Sequence, residues 1–210
     1  GIATMAICPV LVSVSMAAIN SLIRQVSLRA DYDFLTQVYS RSGLYEALKH
    51  EETHRHSRFL TVMLLDIDYF KSINDNYGHE CGDRVLASFA RQVQQVVGED
   101  GMVARMGGEE FAVVVNSGDA RHGYELAERI RTTVANHPFT WRQQTLSLTV
   151  SIGLGSGKAE AWQLTEVFNK LMTEADDHLY RSKKAGRNRT SARVADEHIT
   201  AATGHETELR

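Results

Sequence analysis

Two glycines followed by two acids, Gly107-Gly108-Glu109-Glu110-Phe111, form the segment of this chain best suited to chemistry. Val103-Ala104-Arg105-Met106 before it and Phe111-Ala112-Val113-Val114-Val115 after it read as strands, with the glycines as the tip of the hairpin between them. Glycine accepts positive φ and lets a ligand approach the backbone with no Cβ in the way. Adjacent glutamates repel each other and gain nothing in a purely structural turn, where Asn-Gly or Asp-Gly is the usual choice. A second acidic element lies upstream. The apolar run Leu60-Thr61-Val62-Met63-Leu64-Leu65 reads as a strand buried on both faces, and it ends in Asp66-Ile67-Asp68. Carboxylates there are costly to desolvate unless a cation or hydrogen bonds compensate them. Mg²⁺ takes hard oxygen ligands, commonly one or two carboxylates plus substrate phosphates, so Asp66 and a tip glutamate make a fitting set. Asp68 has two readings, a metal ligand or the cap of the helix that follows.

From Tyr69 to Asp83 polar and glycine residues gather around a short helix, before a long periodic segment begins. Here the chain resembles one family closely. Asp66-Ile67-Asp68-Tyr69-Phe70-Lys71, Ile73-Asn74-Asp75, Gly78-His79, Gly82-Asp83 and Arg105-Met106-Gly107-Gly108-Glu109-Glu110-Phe111 resemble the GGDEF domain of diguanylate cyclases. Thr149-Val150-Ser151-Ile152-Gly153, Ala175-Asp176, Leu179-Tyr180 and Lys183-Lys184-Ala185-Gly186-Arg187-Asn188 continue the resemblance, which runs from about Asp33 to Thr190. It implies condensation of two GTP into cyclic di-GMP plus pyrophosphate, each 3′-hydroxyl attacking the other's α-phosphate. It also implies a palm-like fold shared with nucleotidyl cyclases and polymerases. One domain holds one GTP, so the active site is completed in a homodimer, and the product goes to cyclic di-GMP receptors.

By the same resemblance Asp66 and Glu109 ligate Mg²⁺, or Mn²⁺ in its place, with the Ile67 carbonyl assisting. Glu109 is the candidate general base, and Glu110 lies within reach. Asn74 and Asp83 read the base, since a carboxylate accepts from the guanine N1 and N2 hydrogens while an amide bonds the acceptor edge, which favours GTP over ATP. Lys71, Lys183 and Arg187 match phosphate-holding positions, and Phe70, Gly107 and Gly108 carry over to the substrate site. His79 belongs to the guanine pocket or, after Gly78 at a turn, is structural. Lys183 falls in the last turn of a long helix, where the dipole alone favours a cation. The family's opening turn usually runs Leu-Thr-Gly-Leu-x-Asn-Arg-Arg, whereas this chain has Leu35-Thr36-Gln37-Val38-Tyr39-Ser40-Arg41-Ser42. Many relatives carry Arg-x-x-Asp before the tip as an inhibitory product site, and Gly98 and Gly101 stand at those positions here.

The chain has 210 residues, 43% hydrophobic and 23% charged, which suits one buried core. A net charge of −3 gives no basic field for nucleic acid. Cys8 and Cys81 lack metal-ligand spacing and point to a reducing compartment. Amphipathic helices are expected at Arg41 to Glu52, Asp83 to Val97, Ala120 to Ala135 and Leu164 to Ala185, and strands at 59–66, 111–116 and 145–154. This is an α+β order, with a central mostly antiparallel sheet flanked by helices and preceded by an apolar N-terminal helix.

From Gly1 to Ile23 no residue is charged, and Ile2 to Ile23 as a helix would span about 33 Å, matching a hydrocarbon core of roughly 30 Å. Arg24 and Arg29 follow, as on the cytoplasmic side of a span. The expected organisation is a membrane span and linker over 1–30, a catalytic domain over 31–190 and a disordered tail over 191–210, anchored in a bacterial inner membrane with the catalytic domain cytoplasmic. The alternative for the first segment is a helix buried in a dimer. For function, the alternative is a non-catalytic GTP-binding regulatory or docking module. A template-directed polymerase palm is disfavoured by the lack of basic surface.

Overall fold

The computed structural model describes Met16 and residues 31–52, 58–99 and 101–193. Its main sheet has six strands in the order β1 (Tyr39–Ser40), β3 (Gly101–Gly107), β4 (Glu110–Asn116), β2 (Arg58–Ile67), β7 (Val150–Ala159) and β8 (Thr190–Ser191). The three central pairings are antiparallel, while the two-residue edge strands β1 and β8 pair parallel to their neighbours, so the sheet is mixed. A separate hairpin joins β5 (Phe139–Trp141) to β6 (Gln144–Leu146).

Alternation along β2 explains the layers. Met63, Leu65 and Ile67 face one core, which they share with Val85 and Phe89 of α3 (His79–Val97) and Ile130 of α4 (Ala120–Asn136). Leu60, Val62 and Leu64 face the other, with Leu44 and Leu48 of α1 (Arg41–Glu51) and Phe168 and Leu171 of α5 (Leu164–Lys184). A strand buried on both sides has no polar face to show, which is why it reads as an unbroken apolar run. Each fully buried Leu, Ile or Phe contributes about 1.5–3 kcal/mol of transfer free energy. Two helix starts are set by side chains: Ser40 Oγ accepts from the Gly43 amide at 3.0 Å before α1, and Asp119 Oδ1 accepts from the His122 amide at 2.8 Å before α4. The short α2 (Phe70–Tyr77) follows β2 directly and has no such cap.

The four long helices fall within a few residues of their expected bounds. The run 145–154, expected as one strand, is two: β6 belongs to the small hairpin, and β7 begins only at Val150. β7 also extends through Gly153 and Gly155, because α5 lies so close that a Cβ at either would strike its backbone at Ala175 and Leu179, or at Leu171.

The expectation of an inner-membrane anchor is corrected: among the described residues no helix is long and apolar enough to cross a membrane. Apart from Met16, the expected span and linker over 1–30 lie outside the described residues, as does the tail from residue 194.

Candidate active site

The C-terminal end of β2 and the β3–β4 turn lie together at one end of the central strands. Gly107 pairs with Glu110 after a bulge at Met106, so the two-residue turn is Gly108–Glu109 rather than the two glycines. Gly107 and Gly108 have φ of 155° and 52°, and a Cβ on either would meet nothing within 4 Å, leaving open space beside the turn. Arg105 holds this turn from behind. Its Nε donates to the Gly108 carbonyl at 3.0 Å and its Nη1 to both oxygens of Asp33 at 3.3 Å. Asp33 in turn accepts from the Thr36 amide and hydroxyl at 2.9 and 2.6 Å, which ties the segment entering the domain to the acidic turn.

Register brings the acids together. Asp66 lies opposite Glu110 across β2 and β4, and the Ile67 amide donates to the Glu109 carbonyl at 3.4 Å. Asp66 is 8% exposed. Burial pushes its carboxyl above the ordinary carboxylate range; Lys183, whose Nζ donates to Asp66 Oδ2 at 2.7 Å, pulls it back, and Glu109 and Glu110 push it further up. Lys183 therefore sits both in the last turn of α5, where the dipole favours it, and against an acid. Among the described residues no three His, Cys, Asp or Glu side chains converge as a self-contained metal site. The donor set is instead the kind a hard cation shares with substrate phosphates: a buried carboxylate, two more carboxylates near enough to raise it, and strand-end backbone. The residues fit a divalent cation on that ground.

Asp68, read from sequence as a metal ligand or helix cap, is engaged elsewhere. It accepts from Thr149 Oγ1 at 2.8 Å, Ser151 Oγ at 2.6 Å and the Asn188 amide at 3.0 Å, and α2 starts at Tyr69 without a side-chain cap. It thus pins the loop after α5 to the start of β7. Arg131 of α4 supports the same loop from outside, donating to Asn188 Oδ1 at 3.1 Å.

The candidate base-reading residues lie on the α2–α3 corner. Asn74 is packed against Gly82, where a Cβ would strike its Oδ1, so the glycine admits the amide next to Asp83. Asp83, His79 and Lys71 are exposed. The Phe70 ring is 7% exposed and belongs to the core, which leaves only its backbone for a ligand. Arg187, in the loop after α5, lies over the Tyr69 ring with 4.8 Å from guanidinium carbon to centroid. Sequence reasoning missed Arg105 with Asp33, the triple anchor of Asp68, and Tyr69; the alternation of Asp66 and Asp68 was the one visible signal. A cavity of about 630 Å³ lined by Leu48, Arg58, Met102 and Asn116 lies at the opposite end of β2, away from these acids.

Residues 30–189 match the family described as "Diguanylate cyclase, GGDEF domain". The chain belongs to this family. The GGDEF domain is 69% identical over 191 residues to the probable diguanylate cyclase DgcF of Escherichia coli (strain K12), a match covering 91% of this chain and 60% of that protein. The chain thus spans less than two thirds of that relative. Among solved structures, the coiled coil and GGDEF domain of DgcB from Caulobacter crescentus, in complex with c-di-GMP, is 28% identical with a TM-score of 0.72, over 86% of this chain and 94% of that one. Diguanylate cyclase SiaD from Pseudomonas aeruginosa, solved with its activator SiaC, is 28% identical with a TM-score of 0.68, over 85% of this chain and 69% of that one. At the departures from the family pattern, Gln37 takes φ of 59°, as a glycine would, and its side chain donates to the Phe34 carbonyl at 2.6 Å. Gly101 of the GGDEF domain has no room for a side chain, since a Cβ would strike the γ-methyls of Val97 and Val115.

Proposed function

We propose that this domain condenses two GTP into cyclic di-GMP and pyrophosphate, with one GTP on each copy of a homodimer. The observation that carries the reading is the placement of Asp66, Glu109 and Glu110 at one end of the central strands beside an open glycine turn, with Lys183 against Asp66. Phosphoryl transfer needs positioning and charge more than covalent chemistry from the protein. Asp66, Glu109 and the Ile67 backbone would hold Mg²⁺, or Mn²⁺. When bound, the cation supplies charge that stabilises the attacked α-phosphate and the departing pyrophosphate.

The residues of the chain divide the remaining work. Glu109 accepts the proton of the attacking 3′-hydroxyl. Lys183, Arg187 and Lys71 hold the triphosphate, and Asn74 and Asp83, with His79 at the rim, select guanine. The open space at Gly107 and Gly108 lets phosphate approach the backbone. The decisive experiment incubates the chain with GTP and Mg²⁺ and looks for cyclic di-GMP by mass, with ATP as control. Product from GTP alone is expected. GTP binding without product would instead identify a non-catalytic nucleotide-binding module.

A further inference from the structure

Two residues in left-handed backbone meet next to Asp68, at the end of β2 that carries the acids. Tyr69 has φ of 57° and Arg187 φ of 64°, a region that bulky side chains avoid and that marks strain held in place by surrounding structure. What holds it here is Asp68, the residue before Tyr69, which accepts from the amide of Asn188, the residue after Arg187. The two strained positions are thereby tied together, and Arg131 clamps Asn188 from the far side.

The Tyr69 side chain gains no burial in return, Arg187 is only half-buried, and neither gains polar pairing. The Tyr69 ring is 65% exposed, and among the described residues its hydroxyl makes no hydrogen bond and the Arg187 guanidinium has no hydrogen-bond or ion-pair partner. The visible result of the arrangement is the stack itself, guanidinium over ring at 4.8 Å. A ring face orients a guanidinium without neutralising it and leaves its N–H donors unspent. A carboxylate in the same place would compete with an incoming phosphate, as Asp66 does for Lys183 at 2.7 Å.

We propose that Tyr69 is a positioning residue for Arg187: its ring holds the guanidinium in place so that the free N–H donors meet the triphosphate of GTP. This rests on the reading of Arg187 as a phosphate-holding residue, and the test separates the two. Equilibrium binding of α,β-methylene-GTP and of guanosine to the chain is measured for the wild type, Tyr69→Leu, Tyr69→Phe, Arg187→Gln and the Tyr69→Leu/Arg187→Gln double variant.

Tyr69→Leu should weaken the triphosphate analogue about two- to fivefold, the worth of an exposed cation–π contact. It should leave guanosine, which has no phosphates, unchanged. Tyr69→Phe keeps the ring and should restore analogue binding, and Tyr69→Leu should add nothing once Arg187 is Gln. Equal losses for analogue and guanosine, no loss in Tyr69→Leu, failure of Tyr69→Phe to restore binding, or additive losses in the double variant would each overturn the role of Tyr69 while Arg187→Gln still weakens the analogue. Unchanged analogue binding in Arg187→Gln would overturn the phosphate reading itself, and the proposal with it.

Discussion

Asp33 and Asp66 each face a basic side chain beside the Gly108–Glu109 turn, yet their surroundings push their carboxyls in opposite directions. Burial raises both. At Asp33 the Thr36 hydroxyl and amide, with the Arg105 guanidinium, outweigh burial and leave the carboxyl below its ordinary value of 3.8. At Asp66 Lys183 offsets burial only in part, Glu109 and Glu110 add to it, and the carboxyl stays above 3.8. The first acid is satisfied by the fold; burial and two neighbouring acids leave the second only partly compensated by Lys183, which accords with the proposed cation site.

Breaking the unsatisfied pair should have the largest effect. Asp66→Asn or Glu109→Gln is expected to cut cyclic di-GMP formation by about 100-fold or more, on the scale of removing a charge-stabilising group. With a chelator present, thermal stability should not fall in Asp66→Asn, because a folded-state carboxyl raised above its unfolded value is most favourable at low pH and loses that advantage as pH rises through the raised value. Near-normal turnover, or a marked drop in melting temperature, would erase the contrast.

Asp68 sharpens the comparison, since it lies two residues from Asp66 but is wired like Asp33. Asp68→Ala leaves the Ser151 hydroxyl and Asn188 amide without their acceptor and should cost about 3 kcal/mol in denaturant unfolding. A loss within experimental error would mean the loop does not depend on it. Asp33→Asn should cost about 1–2 kcal/mol at neutral pH. Its sign with pH is fixed: a depressed carboxyl contributes fully above 3.8 and loses that contribution as pH falls through its lower folded value, so wild type and variant should converge in acid. Parallel stability–pH curves would refute this. The smallest effect is expected for Gln37→Gly, which relaxes a φ of 59° but gives up the hydrogen bond to Phe34; melting temperatures should agree to within about 0.5 kcal/mol equivalent.

The helices and the acidic turn were legible because periodicity and short motifs are local. The end of β6 was not: Leu146, Leu148 and Val150 keep an unbroken alternation of buried residues while the backbone leaves one sheet and enters another. The strand expected to end at 154 runs on to Ala159, and its Gly153 and Gly155 let α5 approach. β1 and β8 are too short to leave any pattern. At the site, Asp66 and the tip glutamates stood out by type and spacing. The wiring of Asp68 did not, since its partners Thr149, Ser151 and Asn188 are 81, 83 and 120 residues away.

The closed slot at Gly101 limits what can be introduced ahead of the acidic turn. An aspartate introduced there would meet Val97 and Val115, two stiff β-branched side chains wedged between helix and strand. An acid at 101 therefore requires both Val97 and Val115 to give way. An Arg-x-x-Asp pair at 98 and 101 is thus opposed by packing at its second position, before any contact with a ligand comes into play.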